Sequence, residues 1–316
     1  MRVVVALLTV LVLALPVAHA QETPRMGGVL KVATIGEPPT LDVPMSTATQ
    51  VFEIMWHVNE GLFTYDRSWN PIPHLAESYT LIAVAVLNHK AGLMTNKKMR
   101  QALQATLDME PIMAAGFGHK DFIRLDPSIF FPEQPWHSTV AATLYNQHDR
   151  DKARRLLKEA GYARQPVRWA TTKEYEFMYK NALVAKQQME DVGFVVDLQV
   201  VDWATLNARA EKPELWEIAS TGFVFSADPA NHVAFRCTFW GAWCNEDKER
   251  LVADLRAESD PKKRKAIVER LQAIFYDDVG HVKLGDYFTL DAARRELRGE
   301  FRTAPRMYFW NTWLNR

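Results

Sequence analysis

The run Tyr175–Asp202, YEFMYKNALVAKQQMEDVGFVVDLQVVD, contains the whole logic of the fold. Tyr175 to Val192 is amphipathic at helical spacing, and Gly193 closes it, since glycine takes the left-handed conformation that ends a helix. Phe194 to Val201 is rich in β-branched and apolar residues and reads as a strand. Asp202 then has the side chain to cap another short helix. A helix, a glycine stop and a buried strand in direct succession are the unit of an α/β protein.

The same grammar extends in both directions. Upstream, Met99, Ala102, Leu103 and Leu107 mark one helix face with Asn96 as its cap, and Asp149 caps a helix that buries Ala153, Leu156, Leu157 and Ala160 before Gly161. Downstream, Trp216 to Phe223 reads as a strand, one helix follows Asn245, and another starts at Asp260-Pro261, where proline takes the first helical position. Val282 to Leu290 is expected as the last strand, before a polar turn and an aromatic tail, Met307 to Trp310. Toward the amino end, Gly28 to Ala33 alternates like a strand and runs into the loop Gly36-Glu37-Pro38-Pro39-Thr40-Leu41-Asp42. Val51 to Tyr65 reads as a helix ending near Gly61, and Pro71 to Tyr79 as a second proline-marked loop. Helices alternating with strands predict a partly parallel sheet.

The extreme amino end has the form of an export signal. Arg2 precedes an apolar run, Val3 to Val17, broken only by Thr9, and Ala18-His19-Ala20 has the small-x-small pattern read by signal peptidase. A bilayer span needs about 20 residues, so a membrane anchor is the weaker of the two readings. Cleavage after Ala20 predicts a periplasmic protein. Cys237 and Cys244 are the only cysteines; in an oxidising compartment they suit a disulfide closing a short aromatic loop, the other reading being two free thiols.

Composition narrows the function. Lys+Arg and Asp+Glu both number 38, which removes the electrostatic case for a nucleic-acid or anionic-membrane partner. Apolar residues make up 48% of the chain, enough for a large core, and ten are tryptophans, which serve cores and ligand clefts alike. There is no phosphate-binding glycine loop and no Gly-x-Ser-x-Gly elbow. The nine histidines are scattered, so neither a metal site nor a cofactor is expected, and no residue constellation calls for an enzyme. Glu37 and Asp42 flank a loop; as a carboxylate pair they are read as solvated or structural rather than catalytic.

Several segments, in order, resemble the extracytoplasmic solute-binding proteins of family 5, which serve dipeptide, oligopeptide and nickel ABC importers. They are Gly36 to Asp42; Glu60-Gly61-Leu62-Phe63-Thr64-Tyr65; Pro73 to Tyr79; Asn88 with Asn96 to Leu103 and Asp108; Gln187 to Phe194 with Asp202-Trp203; and Ala227-Asp228-Pro229 with the cysteine loop. The resemblance implies the two-lobed periplasmic binding protein fold (class II, family 5 type), in which ligand is trapped as the lobes close and the closed form is presented to an inner-membrane permease. It further implies a signal peptide at 1–20, an amino-terminal part of lobe one at 21–80, a near-complete lobe two at 81–286, and a return to a reduced lobe one at 287–316. Family members continue after the Glu-Ser-Tyr segment with several more strands, whereas Tyr79-Thr80 runs directly into Leu81 to Asn88. A monomer that captures a peptide or other small solute is the leading expectation; the alternative is a non-binding remnant or interaction module. Aligned on Asp228-Pro229, Phe225 takes the position where oligopeptide binders carry an acid for the ligand's ammonium group. Glu37, Phe223, Phe225 and Trp240 are the residues expected to face ligand, with simple core packing as the competing reading of the three aromatics.

Overall fold

The computed structural model describes Lys31, Gly36 and residues 64–65, 71–72, 80–288, 297–303 and 306–314. The segment Thr80–Leu87, TLIAVAVL, is its central strand, β3, numbered after the two-residue pair β1 (Thr64–Tyr65) and β2 (Pro71–Ile72). β3 reads as an unbroken apolar run because both of its faces are covered. Leu81, Ala83, Ala85 and Leu87 point into one core, while Ile82, Val84 and Val86 point into another.

Around β3 the sheet has the order β4-β8-β3-β7-β5-β6, with β4 at Ile123–Arg124, β5 at Pro166–Thr171, β6 at Val195–Val200, β7 at Ile218–Phe223 and β8 at His281–Phe288. β5 pairs in parallel with β6 and β7, and the remaining pairs are antiparallel. The expected partly parallel α/β sheet is therefore present.

One face carries α1 (Lys97–Thr106), α2 (Met109–Phe117), α3 (Arg150–Glu159) and α4 (Glu176–Val192), whose Met99, Leu103, Ile112, Leu157, Ala182 and Met189 fill the first core. The other face carries α5 (Trp203–Ala210), α6 (Glu246–Ala257) and α7 (Pro261–Asp278), through Leu206, Leu251, Leu255, Val268 and Phe275. The caps do what their chemistry predicts. Asn96, Asp149, Asp202, Asn245 and Asp260 each accept from a backbone N–H one to three residues into the helix, and Gly193 ends α4 at φ 112°.

Several elements depart from the expectations. α2 follows Asp108, which caps it as well as ending the preceding turn; Pro111 and Gly116 obscure its helical pattern in the sequence. β5 lies in a stretch to which no strand is assigned from sequence, because Arg168 interrupts its apolar character; in the fold that arginine pairs with the buried Glu217. The aromatic tail is not the end of the strands: β9 (Leu297–Thr303) and β10 (Arg306–Leu314) form an antiparallel hairpin, and Met307 to Trp310 lie within β10. Pro71–Ile72, expected as loop, makes the short ladder with Thr64–Tyr65.

Candidate ligand-facing end of the sheet

The register shows which edge of the sheet is shared by the ends of several strands. Phe223, the last residue of β7, lies opposite Ile82, and Phe288, the last of β8, lies opposite Thr80. Because β5 and β6 run parallel to β7, Thr171 and Val200 finish at this same end. Open α/β sheets bind ligands beyond the carboxyl ends of their strands, where successive loops diverge and leave a crevice.

A continuous series of ring contacts borders this end. Phe117, the last residue of α2, stacks on Tyr287 of β8 at 4.5 Å, and Tyr287 lies 4.8 Å from Phe177 of α4. Phe177 meets Tyr175, the cap of α4, at 6.4 Å; Tyr175 meets Trp203 at 5.0 Å; and Trp203 meets Trp240 at 6.1 Å. Trp240 stacks on Phe239 at 5.5 Å, and Phe239 meets Phe223 edge-on at 5.6 Å. Phe117, Tyr175, Phe177 and Phe239 are half-buried, so the row presents ring surface as well as filling space. The indole N–H of Trp203 and the hydroxyl of Thr171, both buried here, have no hydrogen-bond partner among the described residues.

The loop after β7 supplies one end of the row. Cys237 and Cys244 are joined in a disulfide, with Cα atoms 4.8 Å apart, and the loop between them brings Phe239, Trp240 and Trp243 onto the sheet. Gly241 makes the approach possible: its φ is 80°, its carbonyl accepts from the N–H of His89 at 2.7 Å, and a Cβ there would lie 2.0 Å from the carbonyl oxygen of Leu87.

Behind this loop three imidazoles sit among aromatic rings. His281 lies within 6.4 Å of the rings of Phe223, Phe239, Trp243, Phe275 and His89. His232 packs edge-on against Phe223 and Phe130. Burial, then the charge of Arg100, holds His89 down to about 4, while the carbonyl of Gly280 and Asp278 pull the other way. Burial, then Arg236 and Lys283, holds His232 down to about 3. His281 is held well below the ordinary histidine range by burial, with His89, Lys248 and His232 adding to it. All three are neutral in the fold at pH 7.

Farther along β8, on the same face of the sheet, a bulge builds a buried charge cluster. The register slips between Ala83 and Val84, where Gly285 and then Lys283 are the partners, so Leu284 is the extra residue. Lys283 and Asp286, which a regular strand would send to opposite faces, therefore meet on one face at 2.7 Å. Arg124 of β4 donates to Asp286 at 3.0 Å and to Glu133 at 2.7 Å, and Lys283 also donates to the carbonyl of Ser128. Burial pushes the Asp286 carboxyl above its usual range despite these cations. The cluster ties residues 124–138 to the sheet.

Of the residues singled out from sequence, Phe223, Phe225 and Trp240 are 3%, 7% and 7% exposed and belong to the second core. Phe223 and Trp240 take part in the ring series, and Phe225 packs in the second core. Glu37 lies outside the described residues, as does the 1–20 segment. Sequence reasoning did not find Phe117, Tyr175, Phe177 or Tyr287. Each stands at an element boundary or on a strand that pairs far away in sequence, so no local spacing joins them. Among the described residues no three His, Cys, Asp or Glu side chains form a group that could hold a metal ion, and no helix is long and apolar enough to cross a membrane.

Comparison with known proteins agrees with this architecture. Residues 63–244 match the family model for bacterial extracellular solute-binding proteins, family 5, middle region. A probable peptide ABC transporter periplasmic-binding protein, y4tO, of Sinorhizobium fredii is 25% identical over 234 residues, covering 68% of this chain and 42% of the relative. The oligopeptide-binding protein AppA of Bacillus subtilis is 25% identical over 240 residues, 66% of this chain and 41% of AppA. This chain thus spans less than half the length of either relative. In structure, AppA of Bacillus subtilis, solved with a nonapeptide, superposes with a TM-score of 0.64 at 19% identity, covering 76% of this chain and 51% of that one. The substrate-binding protein CtaP of Listeria monocytogenes gives 0.63 at 20% identity, with 76% and 53% covered. The fold is that of the two-lobed periplasmic binding proteins, and the chain belongs to the bacterial extracellular solute-binding proteins of family 5.

Proposed function

We propose that this chain is the solute-binding component of an ABC importer, exported to the periplasm by its 1–20 segment, and that it takes up a peptide or other small solute for delivery to an inner-membrane permease. The observation that carries this reading is the ring-lined end of the sheet, where half-buried aromatics adjoin two buried donors without partners among the described residues, Trp203 Nε1 and Thr171 Oγ1. Stacking surface with a few unspent polar groups suits a neutral or weakly polar ligand held by contacts rather than by chemistry. The names of the relatives, peptide ABC transporter periplasmic-binding protein and oligopeptide-binding protein, favour a peptide. In this reading Phe223, Phe225 and Trp240 shape the lobe-two wall (81–286), Glu37 approaches from lobe one (21–80 and 287–316), and Phe225 in place of an acid favours ligands that do not depend on an ammonium anchor. Binding is by closure without covalent change, since ligand contacts from both sides are what stabilise the closed form.

The test is a thermal-shift screen of the chain lacking residues 1–20 against di- to nonapeptides and their amino-terminally acetylated forms. A ligand at a hundred times its Kd stabilises by about 2.7 kcal/mol, which moves the melting temperature by several degrees. Stabilisation retained on acetylation is the expected result. A melt that no peptide shifts, at millimolar concentration, removes the proposal.

A further inference from the structure

We propose that His232 and His281 form an acid-operated latch, whose protonation releases residues 224–245 from the sheet while the rest of the sheet stays folded. The geometry carries the argument. His281 of β8 is 1% exposed and lies under the 224–245 segment, while His232, 2% exposed, belongs to that segment and faces inward with Phe225, Ala230, Ala234, Phe235, Trp240 and Trp243 of the second core. Nδ1 of His281 has no hydrogen-bond partner among the described residues, and Nδ1 of His232 already accepts from the N–H of Ala234 at 3.2 Å. A second proton on His232 would thus break its bond and point two donors at one another.

No compensating charge is at hand. β3 and β7, which flank the cluster, contain no titratable side chain. β8 brings Lys283, α6 brings Lys248, α1 brings Arg100 and the segment itself brings Arg236, cations that oppose protonation of one or more of the three histidines; the carboxylates beside them, Asp286 of β8 and Glu249 of α6, are taken up by Lys283 and Lys248. Asp278 of α7 is the carboxylate that faces His89, and it is occupied by Arg100 at 2.5 Å, by the Trp243 indole at 2.7 Å and by Asn245 at 3.2 Å. An imidazolium at position 232 or 281 is therefore favoured only where water can reach it.

The segment is also the part most able to leave. It contains two single turns, Pro229–Asn231 and Val233–Phe235, and no strand of the ladder. Scattered bonds fasten it, among them His89 N–H to Gly241, Gln134 to Ser226 at 2.9 Å, Trp136 to Ala227 at 2.9 Å, Lys248 to Phe235 at 2.8 Å, Arg264 to Asp228, and Trp243 and Asn245 to Asp278 at 2.7 and 3.2 Å. Local opening of a unit held by packing and scattered side-chain bonds costs less than global unfolding. Release would dismantle the Trp203-Trp240-Phe239-Phe223 end of the ring series, whatever ligand that series serves.

The sign follows from linkage. Groups held neutral in the closed form and free to titrate in the open form make opening more favourable as pH falls below their ordinary value near 6.5. Two such groups raise the open population about a hundredfold per pH unit, tenfold for each proton taken up. The experiment is hydrogen exchange read by mass spectrometry on the unaltered chain between pH 7 and pH 4.5, corrected for the intrinsic pH dependence of exchange. Peptides from 224–245 are expected to lose protection with a slope of about two decades per unit, while those from 97–117 and 176–200 keep theirs. His281→Phe is expected to lower the slope to about one. Opening of all peptides in a single step, or a slope near zero in 224–245, overturns the proposal. So does an unchanged slope in His281→Phe. If that variant does not fold at pH 7, His232→Asn is read in the same way, and the slope of the unaltered chain decides independently of either.

Discussion

The ion pair created by the β8 bulge offers a sharp test of how this sheet is held together. Asp286→Asn removes one charge from a site where the aspartate side chain is fully buried and Lys283 is 1% exposed. Arg124 keeps Glu133 as a partner, but Lys283 is left with the carbonyl of Ser128 and no counter-charge. Breaking a buried pair by removing one member costs about 3–5 kcal/mol, because an ion remains without compensation. Lys283 keeps the Ser128 carbonyl as an acceptor, which places the cost toward the lower end, about 3 kcal/mol. For a unit of this size that is a fall of about 6–12 °C in melting temperature. Urea unfolding followed by tryptophan fluorescence would measure it. The double change Asp286→Leu with Lys283→Met removes both charges and should recover most of the loss, since well-packed apolar replacements of a buried pair are often neutral. A single variant within 1 kcal/mol of the parent, or a double variant no better than the single, would refute the reasoning: the bulge would then be set by backbone alone.

Three further outcomes are expected. Gly241→Ala combines a left-handed φ of 80° with a Cβ 2.0 Å from the Leu87 carbonyl oxygen, and should cost at least about 2 kcal/mol in the same urea assay; an effect below 0.5 kcal/mol would mean the loop moves freely. Replacing Cys237 and Cys244 by serine opens an eight-residue ring and should lower stability by about 2.5 kcal/mol on the chain-entropy scale, with reductant producing the same loss in the unaltered chain and none in the variant. Gly116→Ala would set a methyl 2.1 Å from the buried Oδ1 of Asn181, an atom without a hydrogen-bond partner among the described residues, and should destabilise by about 2 kcal/mol. Asn181→Ala made together with it should restore most of that, so a cycle showing simple additivity counts against the contact.

The local elements were largely legible in the sequence because each is encoded over a few residues. Asp149, Asp202, Asn245 and Asp260 announce helix starts through side chains that can reach a nearby N–H, and the structure uses all four. Gly193 marks the passage from α4 to β6 for an equally local reason. β5 and α2 were hidden because Arg168 and Pro111 disturb the patterns that propensity rests on, and both are accommodated by long-range partners or position. β9 and β10 show the converse: Leu297–Thr303 alternates charges with apolar residues and reads as a polar turn until its pairing partner is known.

By itself, the sequence determined the α/β class, the order of most elements, the family through its ordered segments, and the pair of cysteines available to one loop. Tertiary structure alone decided which residues stand together. Phe117, Tyr175, Phe177 and Tyr287 meet because strand ends converge, and Lys283 reaches Asp286 because one extra residue in β8 turns them to the same face. His89, His232 and His281 read as scattered along the chain, yet they share one cluster, since β8 brings residue 281 beside β3 and the segment after β7 brings residue 232 against Phe223, whose ring also meets His281. The physical reason is the same in each case: spacing along the chain controls helices, caps and turns, whereas proximity across a sheet is set by register, which no short stretch of sequence contains.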